Sequence, residues 1–329
     1  MLRRRALGLG LSAAAGLWLA RASAGAREAV VRVGTLSFGT LAWEMDVIKR
    51  HRLDARHGVA IRTVDLAGKD AAAVGLQAGS VDAIITDWLW VSRQRAAGAD
   101  YAFVPHSLAA GAIYVRPDSG IATLAGLKGK RLGVAGGPVD KSWLIFRAYG
   151  EKALGGDLAR LVEPVYAAPP LLNQLMLKGE LPAVLNFWPY GARLQAAGMR
   201  ALMSLAEAFP ALGIARVPPI VGWVFSEGWA KADPQALEGL LAASREADML
   251  LLHDDAEWET LRPLMHAEDE ATFTALRDGY RRGIPAGFGP ADLAAAKATF
   301  AILAALGGKA LVGESRTLAP GTFWPTPAL

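Results

Sequence analysis

Aromatic and acidic side chains stand close together where the sequence predicts the ends of β-strands. Indole faces beside a carboxylate suit an organic cation or a ring-bearing molecule, because each cation–π contact contributes roughly 0.5–2 kcal/mol. The pattern favours a small amine or an aromatic or heterocyclic ligand over an inorganic anion. The alternative, that the indoles pack helices on sheets, applies first to Trp43 and Trp143 and less to Trp88 and Trp188. The residues concerned are Phe38, Trp43, Trp88, Trp143, Phe187, Trp188 and Tyr190, with the carboxylates Asp87 and Asp140.

A glycine-rich turn offers a second kind of binding chemistry. The segment GGPVDKSW at 136–143 joins a predicted strand to a predicted helix. Free N–H groups at a helix start favour an anion by about 0.3–1 kcal/mol when exposed. Asp140 can instead cap that helix and fill the position. Capping and ligand contact are therefore open alternatives for Asp140.

Residues that serve enzymes or metal sites are sparse. The chain has no cysteine, which excludes disulfides, thiolate metal ligands and catalytic thiols. Its five histidines are scattered, and the H-E-x-x-H, G-x-S-x-G and phosphate-loop motifs are absent. The acidic run HDDAEWE at 253–259 is interpreted as a turn between helices rather than a cation site. We expect no catalytic residue, metal or cofactor; an enzyme would need a reactive side chain, and Lys141 is the only lysine expected in the ligand site.

A repeat predicts the elements that position these residues. The segment AGSVDAIITDWLW at 78–90 returns one hundred residues later as KGELPAVLNFWPY at 178–190, with Gly79 matching Gly179 and Trp88 matching Trp188. Each copy follows an Ala/Leu-rich predicted helix, and each glycine suits a left-handed helix C-cap before a short buried strand. The repeat therefore predicts two similar α/β lobes.

The ligand site is expected where these lobes present their strand ends. Open α/β sheets bind ligands at the carboxyl ends of strands, where loops and helix N-termini converge. The expected ligand-binding residues are Ser37, Phe38, Thr40, Trp43, Thr86, Asp87, Trp88, Gly136, Gly137, Asp140, Lys141, Ser142, Trp143, Asn186, Phe187, Trp188, Tyr190 and, on a returning strand, Trp223.

The first 26 residues are predicted to be a secretory signal peptide. MLRRR is followed by a fifteen-residue apolar run, and small residues allow cleavage after Ala24 or Ala26. The arginine cluster leaves the twin-arginine route open. The leader holds four arginines and no acid, so its removal takes the formal charge from +4 to zero, and nucleic acid is not implied. We expect a soluble periplasmic protein with no further segment long and apolar enough to span a bilayer.

Length and strand order predict the domain organisation. A chain of 329 residues exceeds what one hydrophobic core usually supports. Strands at 112–116 and 219–226 are predicted to cross between the lobes. Lobe one is then discontinuous, over 27–111 plus 220–329, and lobe two covers 112–219. The proline-rich tail at 318–329 is expected to lie on the surface as an extended strap.

Four segments, taken in order, resemble a known family. AIYVRPDSGIATLAGLKGKRLGVAGG at 112–137, LQAGSVDAIITD at 76–87, LNFWPYGARL at 185–194 and VFSEGWAKADPQALEGLLAA at 224–243 are similar to elements of periplasmic substrate-binding proteins of the nitrate/sulfonate/taurine class. The similarity covers most of the chain after the leader. Two positions depart from the pattern: Pro182 replaces an aspartate, and Trp188 replaces a glutamate that lies near the cleft in relatives. The resemblance therefore does not identify the ligand.

The resemblance implies a fold, a function and a partner. The fold would be the type II periplasmic-binding-protein fold, two α/β lobes joined by two crossing strands. The function would be capture of a small organic ligand between the lobes, hinge closure at the crossing strands, and delivery by a monomer to the inner-membrane permease of an ABC importer. Two alternatives remain: an accessory protein of an exported enzyme system that uses the same fold, and an enzyme on this scaffold.

Overall fold

A computed structural model describes residues 29–36 and 39–325. Residues 1–28, which include the predicted signal peptide, lie outside this range, as do Ser37, Phe38 and the last four residues. Within it, ten strands form two five-stranded sheets of the same strand order. The similarity between the two halves that the repeat predicts is therefore present in the topology of the sheets.

The first sheet is built from both ends of the chain. Its strands are β1 (Ala29–Leu36), β2 (Val59–Leu66), β3 (Ala83–Asp87), β4 (Tyr101–Ser107) and β10 (Val221–Ser226), in the order β2-β1-β3-β10-β4. β1 pairs in parallel with β2 and β3, whereas β10 runs antiparallel between β3 and β4. β1, β3, β4 and β10 are largely apolar and buried because helices cover the sheet, whereas the edge strand β2 is mostly half-buried or exposed.

The second sheet repeats this plan from one continuous segment. Its strands are β5 (Ala112–Val115), β6 (Arg131–Ala135), β7 (Glu163–Ala167), β8 (Ala183–Asn186) and β9 (Arg200–Ser204), in the order β7-β6-β8-β5-β9. Here β5 is the antiparallel strand and takes the place that β10 has in the first sheet. The two predicted crossing strands are thus inner strands of opposite sheets. The chain passes between the sheets just before them, along 108–111 and 205–220.

Helices connect the strands and cover the sheets. In the first half they are α1 (Leu41–His51), α2 (Leu53–Arg56), α3 (Lys69–Gln77) and α4 (Trp88–Ala96). In the second half they are α5 (Lys141–Tyr149), α6 (Leu158–Leu161), α7 (Pro169–Leu177), α8 (Trp188–Ala196) and α9 (Leu205–Ala211). The predicted glycines Gly79 and Gly179 follow α3 and α7 with positive φ angles, because a left-handed residue ends each helix.

The last third of the described chain is helical, as its periodicity predicts. It forms α10 (Glu227–Ala232), α11 (Pro234–His253), α12 (Asp255–Met265), α13 (Glu270–Gly283) and α14 (Pro290–Val312). Asp233 caps α11 by accepting a hydrogen bond from the Ala236 N–H at 3.1 Å, and Pro234 takes the first helical position. The acidic run at 253–259 is the junction of α11 and α12, and its Asp254 is the N-cap of α12.

Helix α14 joins the two halves. Its Phe300 lies 6.5 Å from the Trp88 ring of α4, and its Gly307 packs so closely on Leu144 of α5 that an added Cβ would lie 2.9 Å from that side chain. By length and composition α14 could cross a membrane, which contradicts the expectation that no segment after the leader could. In this fold it packs between α4 and α5, and one hydrophobic cluster therefore runs from the first lobe into the second.

The C-terminal tail is part of the first lobe rather than a strap lying on its surface. Phe103 of β4 donates its N–H to the Thr322 carbonyl at 2.8 Å, and its own carbonyl accepts from the Trp324 N–H at 2.9 Å. Phe323 stacks on Phe288 and contacts the rings of Trp88 and Phe103. The tail thus pairs with β4, the edge strand of the sheet, and covers it.

Candidate functional site

A cavity of about 660 Å³ lies between the lobes, at the carboxyl ends of strands from both sheets. The first lobe contributes the start of α3 and the end of β3, and the second contributes the loops after β6, β7 and β8. Ala310 and Leu311 of α14 line the cavity as well. Of the predicted ligand-binding residues, the cavity brings together Thr86, Asp87, Gly136, Gly137, Asp140, Lys141 and Phe187.

Most of the predicted indoles lie elsewhere. Trp88 and Trp143 are fully buried in the hydrophobic core, and Trp223 and Trp43 are 1% and 5% exposed. The Trp88 indole donates to the Pro219 carbonyl at 3.0 Å, on the returning connection between the lobes. These rings therefore do not line the cavity, as the hypothesis of an organic cation bound among indole rings requires.

Trp188 belongs to an aromatic cluster at the lobe junction. Its ring lies 6.2 Å from the Trp43 ring and 6.4 Å from the Tyr280 ring, both in the first lobe. Gly279 makes room for it, since a Cβ there would lie 2.9 Å from the indole. Thr40 and Trp188 line a separate small cavity of about 70 Å³ at this junction. Through this cluster, α8 packs against the first lobe.

The remaining predicted residues support the backbone. Asn186 is 1% exposed and donates to Asn173 Oδ1 at 2.8 Å and to the Pro169 carbonyl at 3.0 Å. The Tyr190 carbonyl accepts from Asn173 Nδ2 at 2.9 Å. These bonds tie α7 to the turn between β8 and α8. Ser142 lies in the first turn of α5 and does not line the cavity.

Two aspartates cap helices on opposite walls of the cavity. Asp87 accepts a hydrogen bond from the Trp90 N–H at 2.9 Å, and Asp140 accepts from the N–H groups of Ser142 and Trp143 at 2.9 and 3.2 Å. Capping, one of the two alternatives for Asp140, is thus observed. Burial raises the pKa of Asp140 above its ordinary value. Because the carboxylates occupy the helix starts, these N–H groups are not free for an anion.

An ion pair links the two walls. Lys141 Nζ lies 2.8 Å from Asp87 Oδ2, with both side chains mostly buried. Burial alone would raise the pKa of Asp87, but Lys141 and the Trp90 N–H hold it below its ordinary value. Burial alone would lower the pKa of Lys141, but Asp87 and Asp140 together raise it. Both groups are therefore charged at neutral pH.

Lys69, at the start of α3, is one of the cavity residues that the sequence interpretation missed. Its ammonium lies 5.1 Å from the centroid of the Phe187 ring, across the cleft. Burial and the nearby Lys141 ammonium lower its pKa. Among the described residues it forms no ion pair within 4.0 Å, although its side chain is open to the cavity. The strand-end argument would have found it if applied to β2, which leads to α3 through Gly68.

The cavity also gains residues with weaker sequence signals. The strand-end argument would also have found Tyr166, since this residue lies near the end of β7. Arg93, Ala310 and Leu311 lie within helices, and only long-range packing brings them here. The charged lining comprises three cationic groups, Lys69, Arg93 and Lys141, and three acidic groups, Asp70, Asp87 and Asp140. Such a balanced surface suits an anionic or zwitterionic organic molecule.

Solved structures of known proteins show the same fold. The alkanesulfonate-binding protein SsuA from Xanthomonas axonopodis pv. citri, bound to MOPS, is 21% identical over 90% of this chain and 98% of its own, with a TM-score of 0.68. The periplasmic aliphatic sulphonate-binding protein SsuA from Escherichia coli is 19% identical over 91% and 93%, with a TM-score of 0.71. The desulfurization enzyme DSZB is 16% identical over 85% and 92%, with a TM-score of 0.59.

These similarities establish the fold class. No protein-family model and no curated protein matches the chain. The predicted type II periplasmic-binding-protein fold with two α/β lobes is confirmed, but the chain crosses between the lobes just before the two predicted crossing strands, not along them. The exact lobe bounds stay a prediction, because membership of a sheet does not determine which helices move with it.

Proposed function

We propose that this chain is a periplasmic solute-binding protein that captures a small organic ligand between its lobes and delivers it to an ABC importer. The observation that carries the proposal is the cavity of about 660 Å³ between two lobes of this fold, lined by charged groups from both. Structural neighbours with the fold are mainly binding proteins from such importers. Export by the leader, a monomeric state and a permease partner are parts of this proposal.

The ligand that fits the cavity carries an anionic group on an organic body. Burial and the Lys141 ammonium both lower the pKa of Lys69, and an anion bound beside the two lysines would offset both effects. Phe187, Tyr166 and Val139 provide apolar contacts for the rest of the molecule. A cationic group on the ligand could pair with Asp70 or Asp140. MOPS, a zwitterionic sulfonate bound by one structural neighbour, has this combination.

Hinge closure provides the delivery step of the proposal. The ligand docks on one lobe, and the connections along 108–111 and 205–220 allow the other to close over it. A permease then recognises the closed form. The Asp87–Lys141 pair crosses the cleft, so the ligand competes with Asp87 for one of the two ammonium groups.

The two alternative functions have less support. No observation favours an accessory protein over a solute-binding protein. The neighbour DSZB shows that this fold also occurs in an enzyme. We propose no reaction here, because both lysines and both capping aspartates of the cavity have binding or structural roles.

Calorimetric titration of the chain from residue 27 onward tests this function. The probes are MOPS, hexanesulfonate, nitrate and benzylamine. We expect binding of the sulfonates, and about tenfold or greater weakening in Lys69→Ala and Lys141→Ala, since each removes a charge-assisted contact. Lys178→Ala, an exposed lysine at the end of α7, is the matched control and should bind normally. Sulfonate affinity unchanged in both cleft variants, or binding of none of the anions, would refute the proposal.

A further inference from the structure

A second cavity, of about 380 Å³, lies entirely within the first lobe. Its walls come from β4, β10, α11 and the loop after α13. It shares no lining residue with the cavity between the lobes. Its presence therefore needs an explanation separate from the proposed solute capture.

The floor of this cavity is polar and almost completely buried. His106, Ser244 and Asp248 form it, and Asp248 is 8% exposed. Tyr280 donates to Asp248 Oδ1 at 3.0 Å, and the Trp223 indole N–H donates to Ser244 Oγ at 3.0 Å. Both bonds stay within the lobe, and no described residue donates to the other oxygen of Asp248.

A further carboxyl group lies directly behind the floor. Glu44 of α1 is 0% exposed, and its Oε2 lies 3.3 Å from His106 Nε2. Neither of its oxygens has a hydrogen-bond partner of good geometry among the described residues, although the hydroxyls of Ser244 and Tyr280 are nearby. A buried polar group without a partner is costly and calls for an explanation. At the floor itself, the second oxygen of Asp248 is therefore the acceptor that no described residue bonds.

The walls and mouth suit an apolar body. Val104, Leu241, Leu252 and Ile284 line the walls. Trp223 adds an aromatic face, 5.8 Å from the His106 ring. Arg245 and Ala286 are exposed at the mouth, where solvent screens the guanidinium charge. A cavity with apolar walls and a few convergent polar groups is the usual form of a small-molecule site.

We propose that this cavity binds a small organic amine, separately from the ligand between the lobes. The ammonium group would donate to the Asp248 oxygen that Tyr280 does not bond. The apolar part would lie along the aliphatic walls and against Trp223. This assignment follows from the mostly buried Asp248 carboxyl group, with one oxygen unbonded by described residues, in an otherwise largely apolar cavity.

Thermal-shift and calorimetric titration with benzylamine tests the site, with benzyl alcohol as the neutral analogue of similar shape. We expect benzylamine to raise the melting temperature and benzyl alcohol to bind at least tenfold more weakly. Asp248→Asn keeps an acceptor for Tyr280 and should weaken benzylamine about tenfold or more. Ala286→Trp fills the mouth without touching the floor and should abolish binding, whereas Ala286→Ser should preserve it.

The cleft variant Lys69→Ala separates this proposal from the proposed function. It should bind benzylamine as the unaltered chain does, even where its sulfonate binding is lost. Loss of benzylamine binding in this variant would place the amine between the lobes and overturn the proposal. Equal affinity for benzyl alcohol, no effect of Ala286→Trp, or no binding of benzylamine at millimolar concentration would also overturn it.

Discussion

Glu44 illustrates how one buried side chain determines a response to pH. Burial raises the pKa of Glu44 well above its ordinary value, and the nearby Asp248 adds to this effect. The folded state therefore holds a proton that the unfolded chain releases near pH 4.3. This contribution to stability is complete below that pH and is lost as the pH rises through the folded-state pKa.

The first prediction concerns Glu44→Gln, which removes the titration and keeps the shape. As the pH rises from 5 to 8, the unaltered chain should lose stability relative to the variant by up to about 1.4 kcal/mol per pH unit. Guanidinium unfolding at each pH measures this difference. Glu268→Gln, at an exposed position between α12 and α13, should show no such trend. Parallel stability curves for the unaltered chain and Glu44→Gln would contradict the assigned pKa direction.

Trp88 and Trp188 show what the sequence can and cannot predict for a single residue. The repeat aligns them correctly, since each begins the helix after the third parallel strand of its sheet. Their rings nevertheless have different neighbours. Phe300 and Phe323, more than two hundred residues away in the chain, pack on Trp88, whereas Trp188 reaches Tyr280 across the lobe junction. A local pattern predicts where a side chain starts, but not which distant element will cover it.

At the scale of elements, the tail pairs with the edge of the first sheet. Backbone bonds on both sides of Phe323 join it to β4, and its ring packs against three aromatic neighbours. A turn at 319–322, closed by a hydrogen bond from the Thr322 N–H to the Ala319 carbonyl, interrupts the extended chain that the three prolines in the last twelve residues predict. The prolines do not indicate that the tail pairs with β4, because this pairing depends on an open sheet edge that is formed by residues far earlier in the chain.

The second prediction concerns Phe323→Ala. Because the ring is partly buried between Trp88 and Phe103, we expect a loss of about 2–3 kcal/mol in the free energy of unfolding. Chemical denaturation measures it. Leu171→Ala, at a position 46% exposed on α7, is the control and should change stability by no more than about 0.5 kcal/mol. A loss no larger than that of the control would mean that the tail does not stabilise the lobe.

At the scale of the molecule, contacts besides the two chain connections hold the lobes together. Arg193 of α8 donates to the carbonyls of Met265 and His266 at 2.7 and 3.0 Å, beside the Trp188 cluster. Helix α14 packs on both lobes, and the Asp87–Lys141 pair crosses the cleft. The repeat predicted two similar lobes, but these contacts join parts that do not repeat, so they could not be predicted from it.

The third prediction concerns Trp188→Ala. Loss of the indole from the lobe junction should let the lobes separate further in the absence of ligand. Small-angle scattering should then give a radius of gyration above that of the unaltered chain, for which a compact chain of this length sets a scale of roughly 20 Å. Trp229→Ala removes an indole that packs on Phe225 within the first lobe and is the matched control. An unchanged radius, or an equal increase in both variants, would show that Trp188 does not hold the lobes together.

The order of strands in the chain has a consequence for synthesis. The second sheet is contiguous from Ala112 to Ser204, so a nascent chain can complete it while the rest is still being made. The first sheet is missing its β10 strand until residue 226 and its edge partner until residue 324. Its four earlier strands therefore wait, with an unfilled gap between β3 and β4, until residue 226 has emerged, and the outer edge of β4 stays open until almost the whole polypeptide has been made.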